Sequence, residues 1–208
     1  MDREPLKIAC IGIGGAGGRI LRQAMAVTPA GADLIALDTD EEALRTCGAA
    51  EVLPLGPTLN CGARPEMGRA VAGDASDAIR AIAARYGVVL LVAGMGGGIA
   101  SGAAPVVARL ARDQGATVIA IATLPFAFEG KRRARAADAA VDTLREAADA
   151  VIVMPCDRLF LAADTEPSIR QAFEIADLVA GDRVASLLAT LAQDRTAIDA
   201  LLAAHEIA

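Results

Sequence analysis

The stretch Ala93-Gly94-Met95-Gly96-Gly97-Gly98-Ile99-Ala100-Ser101-Gly102-Ala103-Ala104-Pro105 decides how this chain is read. It follows Gly87-Val88-Val89-Leu90-Leu91-Val92, a continuous apolar run of the kind a strand shows when its sheet is covered on both faces. It leads into an apolar, uncharged segment that reads as a buried helix. The glycines therefore stand between the end of a strand and the start of a helix. There the first backbone N–H groups of the helix lack partners in the chain, the helix dipole presents positive charge, and no bulky side chain holds an anion off. A tight turn between packed elements needs one or two glycines, whereas four of the five residues from 94 to 98 are Gly. The excess points to a phosphate.

Upstream, Leu6 to Ile13 reads as a buried strand running into a first glycine loop, Gly12 to Gly18, and then a helix from about Arg19 to Val27, ended by Pro29 and Gly31. Asp33 to Leu37 is a second strand, closing on Asp38-Thr39-Asp40, where Thr39 or Asp40 caps a helix from Glu41 to Cys47. Glu51 to Leu55 is a short third strand. A loop from Gly56 to Pro65 precedes a helix from Pro65 to Arg85, with proline at its permissive first turn. Downstream, a helix to Gln114 is followed by a strand from Ala116 to Ala122, then a loop, Thr123 to Gly130, that holds two of the four phenylalanines in the chain. A helix from Lys131 to Ala148, a sixth strand from Ala150 to Met154 and a short helix and turn from Pro155 to Ala163 come next. From Pro167 almost to the end, Ile169, Phe173, Ala176, Val179 or Ala180, Val184, Leu187, Leu188 and Leu191 recur at spacings of three and four, the pattern of a long helix.

Strands alternating with helices predict one α/β domain with a mostly parallel sheet and helices on both faces. Residues 1–165 are expected to form its nucleotide-binding part, and residues 166–208 a core helix and helical tail of the same domain. Ligands in such sheets bind beyond the carboxyl ends of the strands. Both glycine loops, Asp38, Thr123 and the Phe126 to Glu129 loop all fall there, so one crevice is expected to hold them.

Composition narrows the function classes. At 208 residues and 54% hydrophobic, the chain can bury a sizeable core. No apolar run reaches the roughly 18 residues that span a bilayer, and no basic-then-apolar leader opens the sequence, so a cytoplasmic location is expected. Cys10, Cys47, Cys61 and Cys156 form no CxxC pair and stand near no histidine, which suits reduced thiols rather than a metal site. His205, the single histidine, reads as solvated. A net charge of −6 argues against a nucleic-acid surface, with Lys131-Arg132-Arg133-Ala134-Arg135 as the local exception.

Two nucleotide readings stand. Gly12-x-Gly14-x-x-Gly17 after a strand, with Asp38 about twenty residues on at the end of the next, fits the dinucleotide fingerprint of an NAD-binding module. That reading leaves the second glycine loop and the aromatic loop without a purpose, and no histidine or Tyr-Lys pair supports hydride chemistry. The other reading is a mononucleotide cradled by both glycine loops.

The residues of the second reading carry a family resemblance. Gly94 to Pro105 is similar to the Gly-Gly-Gly-Thr-Gly-Thr-Gly, Ala-Ala-Pro signature of the GTP-binding domain of FtsZ, the bacterial relative of tubulin. Pro125-Phe-Ala-Phe-Glu-Gly-Lys-Arg-Arg133 resembles its Pro-Phe-x-Phe-Glu-Gly-Lys-x-Arg loop, Arg64-Pro-Glu-Met-Gly-Arg69 its Asn-Pro-Glu-x-Gly-Arg, and Asp38-Thr-Asp40 its Asn-Thr-Asp. Ala172-Phe-Glu-Ile-Ala-Asp177 resembles the start of its central helix. The resemblance implies a GTP or GDP site, with Mg²⁺ as an accompanying cation and no metal held by the protein alone. Its residues would be Gly14, Gly15, Ala16, Gly17, Arg19, Asp38, Asp40, Gly62, Ala63, Gly94, Met95, Gly96, Gly97, Gly98, Ile99, Ala100, Ser101, Thr123, Pro125, Phe126, Glu129, Arg133, Phe173 and Asp177. The chemistry supports the base site: Phe173 and Asp177 stand at i and i+4, and a carboxylate accepts from the N1–H and N2–H₂ of guanine but repels the acceptor N1 of adenine.

The departures matter as much. The first threonine of the signature is Ile99, the glycine after it Ala100 and the second threonine Ser101, so a hydroxyl for phosphate or Mg²⁺ is lost at position 99. The family's asparagine after the first glycine loop is Arg19, and the one before Pro-Glu is Arg64, which is a candidate to stabilise phosphate charge in cis. Asp194-Arg-Thr-Ala-Ile-Asp199 resembles a remnant of the family's Asn-x-Asp-x-x-Asp loop, which completes a neighbouring subunit's active site; Asp199 is the retained acid and Thr196 replaces the first. With the family's second domain not represented, weak or absent GTP hydrolysis is expected. The helix from Thr190 to Ile207 is expected to fold back on the domain or to meet a partner chain. A homo-oligomer or an FtsZ-like filament partner, without nucleic acid or membrane, is the expected setting; modulation of a cell-division filament without any nucleotide is the remaining alternative.

Overall fold

Six strands form one parallel sheet in the order β3-β2-β1-β4-β5-β6. They are β1 (Ile8–Ile13), β2 (Ala32–Asp38), β3 (Glu51–Pro54), β4 (Val88–Gly94), β5 (Thr117–Leu124) and β6 (Ala150–Pro155). The computed structural model describes residues 6–25, 28, 32–57, 62, 64–160, 167–193 and 196–205. The central strands β1 and β4 are buried on both faces, with alternate side chains feeding two separate cores. Ala9, Ile11, Ile13, Val89 and Leu91 pack against α3 (Pro65–Asp74), α4 (Ser76–Ala83), α5 (Gly98–Asp113) and α6 (Lys131–Ala147). Ile8, Cys10, Val88, Leu90 and Val92 face α1 (Gly14–Ala24), α2 (Glu41–Thr46) and α7 (Ile169–Gln193). This two-sided burial is why the strands read as unbroken apolar runs. No helix among the described residues is long and apolar enough to cross a membrane.

Several boundaries differ from expectation, each for a local reason. Helix α1 begins at Gly14, five residues before Arg19, so the first glycine loop is largely the helix's own first turn. Gly14 has φ +72, and a Cβ on Gly17 would lie 2.6 Å from the Val92 carbonyl oxygen, so glycine lets this turn enter sharply and press against β4. The helix expected from Pro65 to Arg85 is broken at Ala75 (φ −88, ψ 10) after Gly73-Asp74, two weak helix formers, and restarts at Ser76. Pro105 lies inside α5, where it removes one backbone bond; eleven of that helix's sixteen residues are buried, so packing holds it. The short helix expected after Pro155 is a 3-10 segment, Cys156–Phe160, and residues 161–163 lie outside the described residues. Asp40, of the two candidates, caps α2, accepting from the N–H groups of Glu42 and Ala43. Beyond α7 a separate helix α8 (Thr196–His205) folds back, with Ile198, Leu201 and Leu202 packed on the α1/α7 core.

The chain leaves β1 toward β2 on one side of the sheet and returns at β4 on the other, so the order reverses between β1 and β4. That switch point is where an open parallel sheet leaves a crevice at its carboxyl ends. The two glycine loops flank it.

Candidate nucleotide site

Two cavities meet over the switch point. The first, about 400 Å³, is lined by Ala16, Arg19 and Ile20 of α1, Gly94 and Met95, Thr123 to Pro125 after β5, Glu129, Arg133, Cys156, and Phe173, Ala176 and Asp177 of α7. The second, about 280 Å³, is lined by Gly14 to Ala16, Arg19, Asp38, Gly62, Gly94, Gly97 to Ala100 and Arg133. Ala16, Arg19, Gly94 and Arg133 belong to both, so the two form one crevice with two guanidinium groups at the junction. A third cavity, about 310 Å³, opens beyond Gly14, Gly15, Arg19 and Asp38 toward α2.

The smaller cavity has the character of an anion cradle. Its floor is the start of α1 and the start of α5, two helix N-termini whose first N–H groups have no helical partner. Cβ atoms added at Gly15 and Gly97 would meet nothing closer than an arginine nitrogen, at 3.7 and 3.9 Å, so these two glycines leave open space. Gly96 has φ +94, and its N–H donates to the Ser101 Oγ at 2.8 Å; Met95 N–H donates to the Thr123 carbonyl at 2.8 Å. The loop is therefore fastened from within. Ile99 brings a hydrocarbon to the same wall. Asp38 is buried, and its Oδ1 accepts from Thr39 N–H at 2.7 Å; burial pushes its carboxyl above the ordinary range, with the backbone bonds of Thr39 and Asp40 opposing. No group of three or more metal-ligating side chains occurs among the described residues, and the wall offers one carboxylate and no hydroxyl at position 99. These residues do not by themselves make a magnesium site.

The larger cavity is aromatic and charged. Phe126 and Phe128 stack at 4.9 Å, and Phe173 meets both edge-on at 5.3 and 5.9 Å. Phe126 is 1% exposed and packs with Cys156, Ala172 and Ala176, so it supports Phe173 from below the cavity wall. One turn along α7 stands Asp177, whose Oδ2 accepts from Arg19 Nε at 2.7 Å. Burial raises the Asp177 carboxyl above its ordinary value, and the Arg19 guanidinium pulls against that shift. On the opposite wall Arg133 donates to Glu129 Oε2 at 2.6 Å, while Glu129 Oε1 accepts from Phe126 N–H. Four cations fall within the first five residues of α6, where the helix dipole disfavours positive charge.

Most of the expected residues thus come together. Gly17 and Ser101 are buried behind the walls, and Asp40 serves the α2 cap and the third cavity. Arg64 is exposed at the N-cap of α3. Asp199 is exposed on α8, which packs beside β6. Ala63 lies outside the described residues. Two features escaped the sequence. The Arg19–Asp177 ion pair joins positions 158 apart and needs the α1/α7 contact to be known. Cys156 lines the larger cavity with a thiol pushed up to about 12 by burial, an inert neutral group that no spacing announces.

A model of the GTPase domain of the tubulin/FtsZ family matches residues 7–164. Cell division protein FtsZ 2 of Rhizobium meliloti is 42% identical over 177 residues, 83% of this chain and 51% of that protein. The chain thus spans about half the length of that relative. An FtsZ of M. jannaschii superposes with a TM-score of 0.86 at 31% identity, covering 91% of this chain and 58% of the other. A GTPγS-bound protofilament of CetZ2 from Haloferax volcanii gives 0.74 at 26% identity, covering 90% and 59%. With the matched segment running from the first strand to beyond the last, the chain belongs to the tubulin/FtsZ family and contains its GTPase domain.

Proposed function

We propose that the crevice binds GDP and GTP, with the base against Phe173 and Asp177, the sugar beside Glu129 and Arg133, and the phosphates over the starts of α1 and α5. The observation that carries this reading is the junction of the aromatic, carboxylate-bearing cavity with the glycine-floored one, sharing Ala16, Arg19, Gly94 and Arg133. Two such cavities end to end at the switch point support a base in one and phosphates in the other. The matching family is one of GTPase domains, which favours this over a dinucleotide module.

Hydrolysis in this reading is slow. Ile99 has no hydroxyl to hold a phosphate oxygen or the water shell of Mg²⁺, and a positioned group of that kind is commonly worth on the order of 10²-fold or more in rate. Mg²⁺ would then be carried by the phosphates and water, with little help from side chains. Arg64, at the N-cap of α3, is the candidate for countering terminal-phosphate charge. Asp199, exposed on α8, would serve a nucleotide held by a second copy. Solved relatives include a dimer and a protofilament, which supports self-assembly as the setting.

The experiment is to denature the purified protein, identify released nucleotide by chromatography and mass, and follow phosphate release from added GTP with Mg²⁺. Bound GDP or GTP with little turnover is expected. Released NAD, or no affinity for any guanine nucleotide, would overturn the proposal. Sedimentation with and without GTP tests assembly; a monomer under every condition would defeat it.

A further inference from the structure

We propose that the crevice takes guanine nucleotides whose terminal phosphate is esterified to a second polyhydroxyl group, a ribose or another sugar, which Asp38 holds in the third cavity, beside α2. The inference rests on the nucleotide reading above and deepens it by naming a class of ligand. The third cavity, about 310 Å³, shares Gly14, Gly15, Arg19 and Asp38 with the phosphate-side cavity. The anion cradle therefore has a pocket at each end, and GDP or GTP would fill only one. At the unfilled end stands Asp38, the acid of the Gly12-x-Gly14-x-x-Gly17 fingerprint, for which a mononucleotide has no favourable use. Ile13 of β1 pairs with Leu37 of β2, so Asp38 is level with Gly14, where α1 begins.

Asp38 is 6% exposed, and its two oxygens are differently placed. Oδ1 accepts from the N–H groups of Thr39 and Asp40, at 2.7 and 3.4 Å, while no donor among the described residues reaches Oδ2. No buried side-chain oxygen among the described residues lacks a partner, so Oδ2 keeps contact with the space that Asp38 lines. A carboxylate there repels the end of a free terminal phosphate. An esterified phosphate carries one charge fewer, and the group attached to it brings hydroxyls that donate to a carboxylate. Asp40 does not compete, because its Oδ1 caps α2. The rest of the pocket suits a sugar and what it carries. Ala43, Leu44 and Cys47 give it an apolar side. The exposed Arg19 and Arg22 line it from α1, where a guanidinium can meet a phosphate or the face of a base.

The test measures Kd on the full chain by calorimetry in EDTA, for GDP, GTP, GDP-mannose and the diguanosine di-, tri- and tetraphosphates. Two identical guanosines give about a twofold gain by statistics alone, whereas a hydroxyl bound to a carboxylate corresponds to roughly tenfold or more. At least one esterified nucleotide is expected to bind about tenfold or more tighter than both GDP and GTP. A gain confined to the diguanosine compounds assigns the pocket to a second nucleoside; a gain with GDP-mannose assigns it to the hydroxyls of any attached sugar. Ala43 is half-buried and lines only the third cavity, so Ala43→Phe should remove the gain and leave the Kd for GDP unchanged. Asp38→Asn, which keeps an acceptor for the turn but loses the charge, should shrink the gain measured against GDP in the same variant. No esterified nucleotide exceeding the statistical twofold, or a gain undiminished in either variant, would overturn the proposal. No binding of GDP by the wild type would instead remove the nucleotide reading beneath it.

Discussion

Gly15 and Gly97 allow the role of the glycine loops in folding to be separated from their role in binding. An added Cβ at either position meets nothing nearer than 3.7 Å, and neither has positive φ, so alanine fits the fold at both. Gly15 lies inside α1, where alanine is favoured over glycine by about 1 kcal/mol. For a chain of this length that corresponds to a rise of roughly 2–4 °C in Tm. If the crevice holds phosphate against the α1 turn, the new methyl occupies the approach and removes about one charge-assisted backbone hydrogen bond, on the order of 1.5–3 kcal/mol, or roughly 10- to 100-fold in Kd. Gly15→Ala should therefore melt higher and bind GDP more weakly. Gly97→Ala, at the N-cap of α5, should bind more weakly and melt lower by roughly 1–4 °C, since alanine is a poorer N-cap than glycine by up to about 1 kcal/mol. Differential scanning calorimetry and titration calorimetry on the same samples give both readings. A raised Tm with unaltered GDP affinity in Gly15→Ala would refute the phosphate cradle, because the glycine would then be serving neither the fold nor the ligand.

Gly102 gives the opposite case. A Cβ there would fall on the Pro65 carbonyl oxygen and lie 2.6 Å from Arg69 N, where α5 packs against α3, so Gly102→Ala should lose about 1–3 kcal/mol or more, read as a Tm drop of several degrees. Lowering pH should weaken base binding: the raised Asp177 carboxyl takes a proton at a higher pH than an exposed aspartate and ceases to accept. The Kd for GDP should therefore rise, as pH falls toward and into the aspartate range, more steeply in wild type than in Asp177→Asn, where this group does not titrate; equal slopes down to that range would exclude Asp177 from the base site. Ile99→Thr should restore a hydroxyl to the phosphate-side wall and raise GTP turnover with Mg²⁺ by tenfold or more, at the expense of about 1 kcal/mol of packing; unchanged phosphate release would show that the isoleucine is not what limits the reaction.

The order of elements and the two-faced sheet were legible because buried parallel strands and glycine-ended loops leave strong local marks, as in Val88 to Val92 and Gly94 to Gly98. Helix starts were less so. Placing α1 after the glycines assumed that glycine opposes helix, whereas Gly14 to Gly18 are helical because tertiary contact with β1 and β4 overrides propensity. The α3/α4 break leaves no mark in the sequence because alanine-rich stretches on both sides of Ala75 read as continuous helix. At the candidate site, the glycine turns and the Phe173/Asp177 pair are visible in the sequence because their spacing is local. Arg19 could be seen only as an exchange of residue, because its partner arrives from α7, at the other end of the chain. The motif marks Phe126 as a ligand residue, yet its burial makes it the support on which Phe173 rests.

The distribution of charge and hydrocarbon along the crevice bears on which nucleotide it favours. Arg19 and Arg133 stand where the two cavities join, so in the proposed pose they meet the base, sugar and inner phosphates, parts that GDP and GTP have in common. Ile99 lines only the phosphate-side cavity, with Asp38 on the same wall, so the outermost phosphate would meet a hydrocarbon and a carboxylate there. Interactions equal for substrate and product bind without accelerating the step between them. In the proposed pose the residues lining the crevice would hold a guanine nucleotide without selecting its terminal phosphate, and any such selection would fall to Arg64, outside that lining. In EDTA, GTP should bind no more than a few-fold tighter than GDP. With Mg²⁺ the ratio should change little, because among the described residues no group of three or more metal-ligating side chains stands ready to hold the ion, and the wall adds the single carboxylate of Asp38. A GTP preference above tenfold that requires Mg²⁺ would show that the terminal phosphate and its cation are recognised after all, and Ile99→Thr would then be expected to have no effect on turnover.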